Sequence, residues 1–169
     1  MLHKNIVSEK DCNEIVSWWK EQKPLYEYRM IVKGAWYIKK EGALCEPIKR
    51  IGEKVKERIE LDRGDVQLSE LKYSCVRKYL KGTNLNKHID NAADLSVSIH
   101  IKQSDDKINP IIVYNKDTKD VFEMRDGDGC SFWGMKQYHE RPKIESDYLI
   151  HLYLGYNYIY RNETQNSLI

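Results

Sequence analysis

Between Leu71 and Tyr156 the chain reads as seven short strand-like runs separated by turn signals, and this succession limits the possible folds more than any other feature. The runs are Leu71 to Tyr79, His88 to Asp90, Leu95 to Lys102, Ile108 to Tyr114, Asp120 to Met124, Gly129 to Trp133 and Tyr148 to Tyr156. Turn-forming residues sit between them at Lys81 to Asn84, Gln103 to Lys107, Asn115 to Thr118 and Arg125 to Asp128. A single short strand cannot bury its apolar face, so many of them in sequence close into a sandwich or barrel. Two amphipathic helices are predicted ahead of the strands. In the first, Ser8 and Asp11 form a cap signal, Cys12, Ile15, Val16 and Trp19 share a face, and Pro24 bounds the end. The second starts at Pro47, carries Ile48, Ile51, Val55 and Ile59 on one side and runs to about Leu61. Between them Tyr28 to Ile38 reads as one or two strands broken near Gly34. The expected class is α+β: a jelly roll (double-stranded β-helix, cupin-like) backed by two N-terminal helices.

A length of 169 residues without internal repeats or a Pro/Gly-rich linker predicts one domain over 1–169, with supporting elements in 1–64, a β core in 65–157 and a tail in 158–169. A formal net charge of +2 gives no electrostatic footprint for nucleic acid or an anionic membrane. No apolar run is long enough to span a bilayer, and the Met1-Leu2-His3-Lys4 start lacks a signal-peptide pattern, so a cytoplasmic address is the expectation. Cys12, Cys45, Cys75 and Cys130 have no metal-knuckle or redox-pair spacing and are expected to be reduced and mostly buried. The charged side of the second helix, Lys49, Arg50, Glu53, Lys54, Lys56, Glu57 and Arg58, reads as a solvated face because Glu interleaves the cations.

The chemistry concentrates in few residues. His88-Ile89-Asp90 places an imidazole and a carboxylate two residues apart, on one face if the backbone is extended. His139, beyond the strand-like Gly127 to Gly134, completes a set of two histidines and one carboxylate, the facial triad of non-haem Fe(II) sites. Three ligands leave positions open for an oxo acid and dioxygen, whereas a structural zinc site closes with four.

Tyr79 to Gly82, Lys87 to Asp90, Leu95 to Ile101, then Gly127, Asp128, Phe132, Gly134 and His139 together resemble the 2-oxoglutarate- and Fe(II)-dependent dioxygenases, with the prolyl 4-hydroxylase-like members as the nearest pattern. The resemblance spans roughly Lys72 to Tyr156. It implies a double-stranded β-helix holding Fe(II) through His88, Asp90 and His139. It also implies oxidative decarboxylation of 2-oxoglutarate to succinate and CO2, with O2 as co-substrate, coupled to hydroxylation of a peptidyl (prolyl-type) or small-molecule substrate.

In many relatives a basic residue about ten positions after the distal histidine pairs with the far carboxylate of 2-oxoglutarate. Here that position is Leu149, and Tyr148 to Tyr153 contains no Arg or Lys. A buried carboxylate still needs a fixed cation or several donors. Arg141 is the expected principal anchor, with Tyr79 and His100 as further donors and Arg77 in reserve, since Tyr73, Cys75, Arg77 and Tyr79 alternate onto one face. His151 reads equally as a core histidine or as a contact to the co-substrate. Two other readings compete: a metal-binding cupin-like module without 2-oxoglutarate turnover, favoured by the missing cation, and a nucleic-acid-modifying oxygenase, supported only by the basic helix.

Overall fold

The computed structural model describes residues 1–28, 32–64 and 66–159. Its elements run β1 (Leu2–His3), α1 (Glu9–Lys20), β2 (Leu25–Tyr28), β3 (Val32–Glu41), α2 (Glu46–Arg63), β4 (Tyr73–His88), β5 (Leu95–Gln103), β6 (Ile111–Tyr114), β7 (Lys119–Phe122), β8 (Gly129–Phe132), β9 (His139–Arg141) and β10 (Tyr148–Tyr156). The strands pair antiparallel in the order β1-β8-β5-β10-β4-β9-β6-β7, with β3 also on β4 and β2 at its edge. Everything follows from a change of partner along β4. Residues Tyr73 to Leu80 pair with β10, whereas Leu85 and His88 pair with β9. One strand therefore belongs to two facing sheets, which is the double-stranded β-helix expected from the run of short strands.

Residue alternation explains how the sheets are filled. Outward residues of the larger sheet, Val76, Leu95, Val97, Ile99, Ile101, Ile150, Leu152 and Leu154, pack against Cys12, Ile15 and Trp19 of α1 and Ile48, Ile51, Val55 and Ile59 of α2. Burial of each such aliphatic side chain is worth about 1.5–3 kcal/mol, so this layer stabilises both the helices and the sheet they cover. A second cluster of Ile111, Val113, Phe122, Met124, Cys130 and Phe132 lies within the roll. The Ser8 cap forms as expected, accepting from the Asp11 amide at 3.2 Å. Cys12, Cys75 and Cys130 are buried.

Several boundaries differ from the sequence expectation. The Leu71–Tyr79 and His88–Asp90 runs are one strand. The turn expected at Lys81 to Asn84 is instead the place where β4 changes partner, with Gly82 at φ +82°. The expected break near Gly34 is a register shift within the β3–β4 pairing, and Met30 falls among the residues outside the description. α1 ends at Lys20, ahead of Pro24 as expected, whereas α2 runs on to Arg63 and the short strands β1 and β9 carried no periodic signal. Of the expected tail, Tyr158 pairs with Leu68, and residues 160–169 lie outside the described residues. Among the described residues no helix is long and apolar enough to cross a membrane.

Because the helical layer and the interior of the roll lie on opposite faces of the sheet, they are separable by mutation. Ile51→Ala, in the fully buried helix layer, is expected to cost about 2–5 kcal/mol in urea unfolding. Metal affinity of the folded variant is expected to stay at the wild-type value.

Candidate metal centre

His88 ends β4, His139 opens β9, and the two are direct cross-strand partners. Their rings stand 4.2 Å apart between centroids. Asp90 follows β4, and its amide donates to the Gly134 carbonyl at 2.8 Å, which ties the end of β4 to the turn after β8. His139 thus lies on its own short strand rather than simply trailing the Gly127 to Gly134 segment.

Hydrogen bonds fix which imidazole nitrogens face inward. His88 Nδ1 lies 2.7 Å from the Asn86 carbonyl and His139 Nδ1 lies 3.1 Å from the Gln137 carbonyl. A carbonyl only accepts, so each Nδ1 carries the proton and each Nε2 presents a lone pair. Those Nε2 atoms sit 3.7 and 3.5 Å from Asp90 Oδ1. The three ligand atoms lie within 4.8 Å of one another. Converging lone pairs of this kind repel unless a cation lies between them, and two imidazoles with one carboxylate suit a first-row divalent metal that retains open positions.

Protonation equilibria agree with a ligand role. Burial, followed by the neighbouring His139, lowers the His88 pKa. Burial alone would raise that of Asp90, but the polar groups facing it, His139 first and then Ser96 and His88, outweigh it and hold the carboxyl below its usual range. The Ser96 hydroxyl donates to Asp90 Oδ2. A Cβ at position 134 would stand only 2.6 Å from Asp90 Oδ2 and closer still to Ser96 Oγ, so glycine is a steric requirement there.

A cavity of about 170 Å³ opens beside the three ligands, lined also by Tyr73, Cys75, Arg77, Tyr153, Phe132 and Lys39. At ~30 Å³ per water in the liquid, that is the space of roughly five or six waters, enough for a small organic acid. The cross-strand register arranges the inner face of the sheet around it in rows. Tyr73, Gly155, Ser96 and Phe132 form the row at the metal; Lys39, Cys75, Tyr153, Ser98 and Cys130 the next; Tyr37, Arg77, His151 and His100 the deepest. Four residues of strand separate the first and third rows, about 13 Å.

The deep row is polar and buried. Arg141, on the same face of β9 as His139, is 1% exposed. Its Nη1 donates to the Asn109 carbonyl at 2.9 Å and its Nη2 to His151 Nδ1 at 3.1 Å. Because guanidinium only donates, His151 carries its proton on Nε2. Among the described residues no carboxylate pairs with Arg141, and Arg141 Nε and His151 Nε2 are buried without a hydrogen-bond partner; the ring nitrogens of His100 make no hydrogen bond either, but its Nε2 faces Asp126 Oδ1 at 3.6 Å. Tyr79 is fully buried, with its hydroxyl 2.6 Å from that of Tyr153 and 3.4 Å from Arg77 Nη1. Of the four residues expected around a co-substrate, Arg77 lines the cavity directly, while Tyr79, His100 and Arg141 lie behind its wall. Ser96 and Tyr153 were given no role by sequence reasoning, Tyr73 only a place on the Arg77 face, and Gly134 only a place in the family resemblance. For Ser96, Tyr73 and Tyr153 the available signal was alternation, positions two or four residues from a site residue on the same strand. Trp133 packs against Tyr158 at 4.9 Å beneath Arg63, away from the cavity wall.

No family model matches the chain, and no curated protein matches it. Solved structures do. A prolyl-4-hydroxylase of Pseudomonas putida superposes with a TM-score of 0.70 at 12% identity, covering 92% of this chain and 90% of the other. A Trichoplax adhaerens prolyl hydroxylase, in complex with a fragment of the hypoxia inducible factor oxygen degradation domain, gives 0.69 at 16% identity, covering 92% and 82%. A non-heme α-ketoglutarate-dependent epimerase from nogalamycin biosynthesis gives 0.71 at 9%, covering 92% and 76%. The chain therefore has the double-stranded β-helix fold of the 2-oxoglutarate/Fe(II) oxygenases, within which its architecture is prolyl 4-hydroxylase-like. Its neighbours differ in reaction, so the fold by itself does not name the substrate.

The buried histidines make the metal-free protein sensitive to acid. Burial lowers the pKa values of His3 and His100, the latter to about 3, and burial with the nearby Arg141 lowers that of His151. Below the unfolded value of about 6.5 the unfolded chain binds protons that the native state refuses, so stability falls as pH drops from 6.5. Each such histidine contributes up to about 1.4 kcal/mol per pH unit over its window. Urea midpoints between pH 7.5 and 4.5 are expected to decline, with a shallower decline in His100→Phe.

Proposed function

We propose that the chain is an Fe(II)- and 2-oxoglutarate-dependent dioxygenase that hydroxylates a peptidyl, prolyl-type or small-molecule substrate, releasing succinate and CO2. The observation that carries this reading is a three-ligand centre with open positions at one end of a cavity, backed at the other end by a buried guanidinium that has no carboxylate partner among the described residues. Native proteins satisfy the great majority of their buried polar groups. Arg141 Nε and the His151 Nε2–H, buried donors without an acceptor among the described residues, therefore support an anion as the missing acceptor.

Fe(II), when bound, supplies the redox chemistry that joins dioxygen activation to decarboxylation of the oxo acid. The chain's own part is geometric and electrostatic. His88, Asp90 and His139 hold the metal on one face. Arg141, with Tyr79, His100 and His151, balances the far carboxylate, and Arg77 contributes from the cavity wall. Leu85, Val32 and Phe132 keep the cavity partly apolar and restrict water beside the reacting atoms. The edge hairpin that brings Val32 and Lys39 to this cavity also exposes Leu25, Tyr26 and Trp36, with Tyr26 and Trp36 in edge-to-face contact at 4.9 Å.

The nucleic-acid reading loses its support in the helical layer. Arg50 pairs with Asp11 and Glu14 at 2.8 and 2.6 Å, Lys54 with Asp11 at 3.4 Å, and Arg58 with Asp62 at 2.9 Å, so the basic side of α2 is largely neutralised within the protein. The cupin-like reading without turnover is separated by a product assay. Anaerobic Fe(II) and 2-oxoglutarate are expected to give a weak visible charge-transfer band, and admission of oxygen is expected to give succinate. A metal-loaded protein that gives neither contradicts the proposal. Arg141→Ala is expected to weaken 2-oxoglutarate binding by the roughly thirtyfold to several-thousandfold that corresponds to about 2–5 kcal/mol. Unchanged affinity in Arg141→Ala together with collapse in Arg77→Ala would move the anchor to Arg77.

A further inference from the structure

Asp90 offers two oxygens, and the structure treats them differently. Oδ1 faces both histidine Nε2 atoms, while Oδ2 accepts from Ser96. The Ser96 hydroxyl spends its only proton on that carboxylate, so its lone pairs remain for another donor. Tyr73, two strands away with its ring over Gly155 and its hydroxyl in reach of Ser96, is placed to be that donor. Tyr73 on β4, Gly155 on β10 and Ser96 on β5 are successive cross-strand partners. Neighbouring strands lie about 4.8 Å apart, so the tyrosine must cross the whole width of β10 to reach Ser96. It does so over Gly155, where a Cβ would fall inside the Tyr73 ring. On the other side of the carboxylate, Gly134 leaves the space in which Ser96 Oγ and Asp90 Oδ2 meet. Two glycines on separate elements thus open the space in which Tyr73, Ser96 and Asp90 come together.

We propose that Tyr73 and Ser96 are positioning residues which hold Asp90 as a one-oxygen metal ligand, and that Gly155 and Gly134 are the steric cradle of this relay. The inference deepens the proposed metal site and rests on that site binding a divalent cation, but it does not require 2-oxoglutarate turnover. With Oδ2 retained by Ser96, the carboxylate occupies one coordination position instead of two. The position so preserved is one that an incoming ligand can take. Hydrogen-bond partners of metal ligands typically govern ten- to hundredfold in metal affinity.

The test uses Mn(II) alone, titrated by electron paramagnetic resonance, and Co(II) alone, followed by its visible absorption. Ser96→Ala is expected to weaken Mn(II) about ten- to a hundredfold, and to change the Co(II) band intensity as Asp90 becomes free to bind through both oxygens. Tyr73→Phe, which keeps the ring and removes the hydroxyl, is expected to give a smaller loss in the same direction. Ser74→Ala is the control. Its hydroxyl is equally buried but donates to the Gly42 carbonyl at 2.8 Å, on the helix side of β4, and its metal affinity and Co(II) spectrum are expected to match wild type. Wild-type Mn(II) affinity and an unchanged Co(II) spectrum in Ser96→Ala would overturn the proposal. Should Ser96→Ala fail to fold, the same two unchanged readings in Tyr73→Phe would overturn it. Wild-type protein that binds Mn(II) yet gives no succinate with Fe(II) and 2-oxoglutarate refutes the dioxygenase reading and leaves this one standing.

Discussion

The antiparallel pairing of β4 with β9 is the contact on which the site depends, because it sets His88 directly opposite His139. Neither histidine has to reach; each is placed by its backbone, and each Nδ1 is held by a carbonyl two residues earlier in its own chain. Both Nε2 atoms are thereby aimed before any metal arrives. Asp90 is brought to them by a different constraint, the bond from its amide to the Gly134 carbonyl in the turn after β8. A centre assembled from two strand ends and one turn requires the two sheets to be closed on each other. The helical layer matters to function for that reason: it covers the outer face of the larger sheet and leaves the inner face free for polar groups.

The inner face carries an unusual density of such groups for a protein core. Serines, histidines, tyrosines and two arginines occupy alternate positions of β4, β5, β9 and β10, and several are fully buried. An apolar interior would be more stable, since buried polar groups repay their desolvation only when paired. Near the metal the pairing is internal, through Ser96 and Asp90. At the deep end it is incomplete among the described residues, and a bound carboxylate would complete it. The stability deferred there is returned on binding, because a ligand that prefers the native state adds to its stability.

How far the sequence reveals this differs from element to element. The amphipathic helices were legible because the 3.6-residue period of Ile48, Ile51, Val55 and Ile59 has no competing explanation, and β5 and β10 because apolar residues persist on their outer faces. The seam in β4 was read as a turn, since Lys-Gly-Thr-Asn has turn chemistry while the strand's two different partners leave no local mark. β9 escaped notice because three residues cannot establish a period, although one of them is a metal-ligand candidate. His88, Asp90 and His139 were recognisable from residue type and spacing. Ser96 and Tyr73 were not, because their meaning depends on the register among β4, β10 and β5, which is a long-range property. The absence of a cation near Leu149 was visible in sequence and Arg141 was the anchor expected in its place; that Arg141 arrives from β9 to stand beside His151 of β10 was not legible, because that pairing is long-range.

The central claim is that one cavity holds a divalent metal at His88, Asp90 and His139 and a dicarboxylate between that metal and the buried cations. The most direct test is a crystal structure with Mn(II) and the oxalyl analogue of 2-oxoglutarate, using anomalous scattering to locate the metal. The account predicts one anomalous peak bonded to His88 Nε2, Asp90 Oδ1 and His139 Nε2, with the far carboxylate of the analogue against Arg141 and its neighbours. A peak elsewhere, or an analogue bound away from both the metal and these cations, would contradict it.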